Sequence, residues 1–173
     1  MKKLISILIL FSLIFCGKET FAFSDERDLT MPCGLSEEEL AAGLRGKLIL
    51  LAPEFIAAEE KYGVNAVFLA AVAALESGWG KSCFRRNNIF GWSGKSFDSK
   101  EECIDFVASK IAEHYLSVEG KYYNGKTVAG VNTCYNGNAF WEQKVSGIMA
   151  MIEKKAAKAV TEKSPDFSLV LIG

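Results

Sequence analysis

Glu76 stands where catalysis could be done. Residues 66–75, AVFLAAVAAL, carry no polar side chain, and Glu76 follows them directly. A helix apolar on every side should lie buried, and a carboxyl at its end would then sit against a dry wall. Desolvation penalises the ionised form, and the negative end of the helix dipole acts in the same direction. A carboxyl that keeps its proton near neutral pH can protonate a leaving oxygen. The plainer alternative is a glutamate that marks the helix end in solvent. Ser77, Gly78 and Gly80 come next and leave room for an extended chain to approach.

Other chemistries have less behind them. His114 is the only histidine, so a histidine-rich zinc site is excluded and no metal is expected. A Ser-His-Asp triad would have to use His114, on a helix whose apolar face is Ile111 and Tyr115. A histidine at the core edge or surface is the simpler reading. A Cys-His peptidase would need a reduced cysteine outside the cell. No phosphate loop or dinucleotide fingerprint appears, and no cofactor is expected. Carboxylates and aromatics remain, the usual equipment for cutting sugars.

The elements that must hold Glu76 are helical. Ser36 and Glu39 form a capping box before Leu40, Leu44, Leu48 and Leu51, with Gly43 and Gly46 as possible breaks. Pro53 suits the first turn of a second helix, which Gly63 stops. Asn65 caps a third, over residues 66–76. Residues 81–97 form a loop holding Phe84, Ile89, Phe90, Trp92 and Phe97, so a core or a ligand is expected beneath it. Ser99 and Glu102 predict another capping box, before a helix face of Ile104, Val107, Ile111, Tyr115 and Val118. A helical turn is expected near Val128, and Trp141, Val145, Ile148 and Ile152 mark the last helix. No strand pattern appears, and the expected fold is all-α.

The N-terminus is a separate object. Lys2 and Lys3 precede a twelve-residue apolar run at 4–15, well short of the ~20 residues that span a bilayer. Residues 1–22 read as a secretory signal peptide cleaved after Ala22. Lipidation at Cys16 is the alternative, but Phe15 stands where a small residue is expected. Without residues 1–22 the chain has 17 basic and 20 acidic side chains, net −3. Nucleic acid, which wants a basic face, is not an expected partner. The expected organisation is an arm at 23–35, a catalytic domain at 36–156 and a tail at 157–173. The expected state is a monomer, secreted or in the cell envelope and free of the membrane after cleavage. Cys33, Cys83, Cys103 and Cys134 remain, an even number that suggests two disulfides in an oxidising compartment. Cys83–Cys103 with Cys33–Cys134 is the favoured pairing, because the first closes a local loop. Four free thiols are the alternative.

Four segments occur in order: YGVNAVFLAAVAALESGWGKS (62–82), NNIFGWSG (87–94), FDSKEECIDFVASKIAEHYL (97–116) and YNGNAFWEQKV (135–145). The set resembles the glucosaminidase family of peptidoglycan hydrolases, glycoside hydrolase family 73, and covers roughly residues 31–153. The resemblance implies a lysozyme-like helical fold with a substrate cleft, and peptidoglycan glycan strands as the partner. It implies Glu76 as general acid, Tyr135 as the essential tyrosine, and Asn88, Phe90 and Gly91 along the cleft. Trp79, Trp92 and Trp141 are expected sugar platforms, since aromatic rings stack on pyranose faces. Many members carry a β-hairpin lobe with a second acid after the N-x-F-G motif. Here only residues 92–98 intervene, so the lobe is expected to be minimal or absent. Asp98, Glu101 and Glu102 are the nearest acids, and helix capping explains them as well. Glutamate followed by serine is shared with lytic transglycosylases and goose-type lysozymes. A muramidase, a transglycosylase and a non-catalytic wall-binding module therefore stay open.

Overall fold

The computed structural model describes residues 25–163. The proposed signal peptide, its cleavage point and the tail beyond 163 lie outside the described residues. Helix α1, Glu37–Gly43, opens on the expected capping box: Ser36 accepts the Glu39 N–H, and Glu39 accepts the Ser36 N–H. A 3-10 turn, Gly46–Leu51, leads into α2, Ala52–Tyr62, which has proline in its first turn and ends on left-handed Gly63. Helix α3, Ala66–Ser77, starts from Asn65, whose side chain accepts the Phe68 N–H at 3.0 Å. Glu59 reaches across from α2 to accept the Ala66 N–H at 2.7 Å, a carboxylate at the positive end of the α3 dipole. The first nine residues of α3 are all buried, as the unbroken apolar run predicts.

Around α3 the chain continues as α4, Lys100–Ile111, a π turn at Ala112–Leu116, α5, Val128–Tyr135, and α6, Ala139–Lys163. Helices α2 and α6 pack on α3, α1 lies along α6, and α4 lies against α2. Gly43 is what lets α1 and α6 approach closely. A Cβ there would stand 2.6 Å from the Ile152 carbonyl oxygen. No strand occurs among the described residues.

Three local expectations are corrected. Ser99 does accept the Glu102 N–H, but the Glu102 carboxylate takes the N–H of Asp98 at 2.7 Å, so the second capping box is half formed. The α4 face does not reach Val118. The chain leaves the helix after the π turn, and Val118 is exposed. The four cysteines among the described residues are also all free. Cys33 is held by Glu59, which accepts its backbone N–H at 2.8 Å and faces its thiol. The Cys103 thiol turns toward Asn88 and the Ile89–Phe90 backbone. Cys134 is exposed on α5. Cys83 lies near enough to Cys103 to act on it electrostatically, but neither Cys83–Cys103 nor Cys33–Cys134 is formed.

The irregular N-terminal arm is docked. Leu29 is wholly buried, its N–H donates to the Lys126 carbonyl at 2.7 Å, and its carbonyl accepts the Asn65 N–H at 2.8 Å. Arg27 grips Asp25 and, on α6, Glu153.

Candidate active site

Glu76 occupies the last full turn of α3, and the turn after it is tightly held. Ser77 is buried, donates to the Ala73 carbonyl at 2.6 Å and accepts the Gly80 N–H at 2.8 Å. It ties the helix end to the loop instead of clearing space for a ligand. Gly78 and Trp79 both take left-handed conformations, which turns the chain sharply away and leaves Glu76 at the rim. The Glu76 side chain is exposed, so the dry wall expected around it is absent. What orients it is Trp141 on α6, whose indole Nε1–H donates to Glu76 Oε1 at 2.8 Å. An N–H donor to an acidic oxygen fixes where that oxygen points.

The opposite lip is the 88–95 segment. Asn88 is buried behind it and does not line the cleft. Its amide donates to the Trp92 and Lys95 carbonyls and accepts the Trp92 N–H at 2.9 Å. Asn88 therefore shapes the loop from within. Gly91 comes next, left-handed, and a Cβ there would lie 3.6 Å from Glu76 Oε2, so the bare glycine backbone faces the carboxyl. Tyr135 on α5 donates its hydroxyl to the Phe90 carbonyl at 3.3 Å and stacks at 5.1 Å on Trp141. Tyr135 as a whole is half-buried, and its hydroxyl is enclosed. Burial, with the Glu76 charge nearby, pushes that hydroxyl well above its ordinary value, so it stays protonated.

These groups meet in a cleft of about 720 Å³. Of the residues anticipated from the sequence, Glu76, Phe90, Gly91, Trp92 and Tyr135 line it. Asn88, Trp79 and Trp141 do not. Trp79 sits outside it with the Arg45 guanidinium 5.5 Å over its ring. Trp141 is only 5% exposed and is spent on Glu76 and Tyr135. Neither is placed as a sugar platform.

The sequence reading missed a whole wall: Lys110, His114, Tyr115, Lys121 and Tyr122, together with Cys134. The π turn, a wider turn that often marks function, brings His114 and Tyr115 to it, while Lys110 comes from α4 and Cys134 from α5. The chain then folds back, with the Tyr122 N–H donating to the His114 carbonyl at 2.8 Å. Gly120 is required there, because a Cβ would stand 2.5 Å from that same carbonyl oxygen. No spacing rule in the sequence announces a π turn. The aromatic pair Tyr122-Tyr123 was the one available signal.

Glu76 is the sole carboxylate among the described residues that line the cleft. Asp98 pairs with Arg86 at 2.7 Å, and Glu102 holds the Asp98 N–H. Glu101 sits at the start of α4, where backbone N–H groups lower its pKa. None of the three lines the cleft, and no cluster of histidine, cysteine or acidic residues fit to hold a metal occurs among the described residues.

The family profile described as glucosaminidase, mannosyl-glycoprotein endo-beta-N-acetylglucosaminidase, matches residues 52–154. Two curated relatives, each called a putative endo-beta-N-acetylglucosaminidase, come from two strains of Streptococcus pneumoniae. Each is 34% identical over 112 residues, covering 58% of this chain. The match spans only about a sixth of their length, 17% and 16%. Two solved structures share the fold, both of S. aureus Autolysin E. One is a catalytic mutant in complex with the disaccharide NAG-NAM, with TM-score 0.59 and 24% identity over 75% of this chain and 72% of that one. The other is in complex with the muropeptide NAM-L-ALA-D-iGLU, with TM-score 0.60 and 23% identity over 78% and 74%. The all-α architecture expected from the sequence is therefore shared with these two solved structures.

Proposed function

The chain belongs to the glucosaminidase family of glycoside hydrolases, and on that premise we propose that it is an exported enzyme that cleaves peptidoglycan glycan strands at N-acetylglucosaminyl β-1,4 bonds, with Glu76 as general acid. The observation that carries this is the cleft itself. Among the described residues it offers a single carboxylate, aimed by the Trp141 N–H and faced by bare backbone at Gly91. A glycan strand laid across the cleft displaces water from Glu76, which restores at binding the dry environment that the free protein lacks.

With one acid in the cleft, the substrate supplies the second group. Two-carboxylate glycosidases hold their acids ~5 Å apart for retention or ~6.5–9.5 Å for inversion. In this reading the carbonyl oxygen of the substrate's own N-acetyl group attacks C1 as the C1–O bond breaks. The Glu76 proton passes to the leaving oxygen. Water then opens the cyclic intermediate and returns a proton to Glu76. Tyr135, kept neutral, steadies the reaction centre through its hydroxyl, and Trp92 offers a ring face to the sugar. The proposed working unit is the catalytic domain at 36–156 with the arm docked on it through Leu29, delivered by the signal peptide at 1–22 to the cell wall. No helix of the described residues is long and apolar enough to cross a membrane.

The single carboxylate also suits a second reading. Glu76 alone can serve a lytic transglycosylase, in which a substrate hydroxyl closes onto C1. Purified walls incubated with the chain lacking residues 1–22 test both. Wild type clears turbidity and releases fragments with reducing-end N-acetylglucosamine, while Glu76→Gln does neither. Lysis that persists in Glu76→Gln removes Glu76 as the acid, and 1,6-anhydro ends shift the assignment to the transglycosylase.

A further inference from the structure

The cleft is polarised. A row of rings leads away from Glu76: Trp141 to Tyr135 at 5.1 Å, Tyr135 to Tyr115 at 5.9 Å, and Tyr115 to Tyr122 at 5.2 Å. It ends on His114, 6.2 Å from Tyr122. Around that far end stand Lys110 and Lys121, both lining the same cleft. Lys110 is balanced by Glu113, whose carboxylate lies 2.6 Å from its ammonium and 3.8 Å from the His114 ring. Lys121 makes no ion pair among the described residues. Its ammonium lies 5.0 Å over the Tyr122 ring, an arrangement that holds a cation in place while leaving its N–H donors unused. One end of the cleft is thus acidic and the other carries an uncompensated positive charge, fixed by a turn that tolerates only glycine at position 120.

A neutral sugar polymer gives no reason for such a charge. We propose that the Lys121 end of the cleft binds a carboxylate carried by the glycan strand, and that this contact sets which sugar lies on which side of Glu76. The inference rests on the reading of the cleft as a glycan-cleaving site. In peptidoglycan the carboxylate has two sources: the lactyl ether of every second sugar, free once its peptide is removed, or an acidic residue of the attached peptide. Both belong to alternate sugars only. One anchored carboxylate therefore fixes the register of the strand and selects one of its two β-1,4 linkages. Charge complementarity contributes specificity and orientation in this way beyond its share of affinity.

The test is binding to the Glu76→Gln protein, with and without Lys121→Glu. Three oligosaccharides of equal length serve as probes: a peptide-bearing strand fragment, the same fragment with the peptide enzymatically removed, and an N-acetylglucosamine oligomer without carboxylates. The carboxylate-bearing fragments are expected to bind more tightly than the oligomer. Lys121→Glu should weaken them by about tenfold, the size of a charge-assisted hydrogen bond, and leave the oligomer unchanged. Tight binding of the peptide-bearing fragment alone assigns the peptide carboxylate. Tight binding of the stripped fragment assigns the lactyl group. Equal binding of all three, or equal weakening of all three by Lys121→Glu, overturns the inference. Lys121 is exposed, so the variant should fold, and an unchanged melting temperature checks that. An enzyme that lyses walls but binds the three probes equally refutes this inference alone. Charge-selective binding without lysis refutes the hydrolase assignment alone.

Discussion

At the scale of single residues, the site depends on which atoms touch Glu76. Trp141 was expected to be a platform for sugar; it is buried, with its N–H on the Glu76 carboxyl, where a residue that positions the acid would stand. Trp141→Phe keeps most of the ring packing on Tyr135 and removes only that donor. The expected outcome is a fall in kcat of about tenfold or more, with KM nearly unchanged, because a hydrogen bond to a charged group contributes about 1.5–3 kcal/mol. Fragment release at several wall concentrations measures the split. A rise in KM at constant kcat would return Trp141 to substrate binding. Asn88 teaches the same distinction. The motif that contains it does face the cleft, but its amide faces inward and braces the lip.

At the scale of elements, two glycines separate folding from cleft shape. Gly43→Ala drives a Cβ into the Ile152 backbone where α1 crosses α6. Neither backbone can yield cheaply, and overpacking of this kind costs about 1–3 kcal/mol. Gly120→Ala forces a similar clash, but against the His114 carbonyl at the end of the π turn. Both variants should lower the melting temperature. Only Gly120→Ala should also displace Lys121 and Tyr122, and so weaken binding of carboxylate-bearing glycan. Thermal melts paired with ligand titration distinguish them. Equal binding loss in both would mean the turn has no role of its own. A helix face read through to Val118 fails because the chain turns extended at Ser117, just past the π turn, and an apolar residue at helical spacing does not announce that exit.

At the scale of the whole molecule, stability comes from one core closed on both sides by docked segments: the arm through Leu29 and α6 through Met149 and Ile152. No disulfide occurs among the described residues. Unfolding in the absence of reductant should expose four titratable thiols in the chain beyond residue 22, and a count of zero or two would restore the pairing. In the folded protein, Cys134 is exposed in the cleft and should react first. Burial pushes the Cys33 and Cys103 thiols up to about 11. The thiolate is the reacting form, so both stay slow at pH 7–9 and accelerate only as pH approaches 11. Mass spectrometry of alkylated peptides across that range reads the order.

The residues themselves determined the helices, the burial of α3 and the candidacy of Glu76. All three follow from local patterning: an apolar run, capping residues and glycine stops. The matching motif order pointed to the family. Tertiary structure decided everything that depends on distant segments meeting. It put Trp141, 65 residues away, on the Glu76 carboxyl. It left that carboxyl exposed although its helix is buried, because a helix end can reach the surface while its body does not. It also brought Lys110 of α4 and Lys121, beyond the π turn, to one end of the cleft, since charge in a cleft is a property of folded neighbours and has no period along the chain.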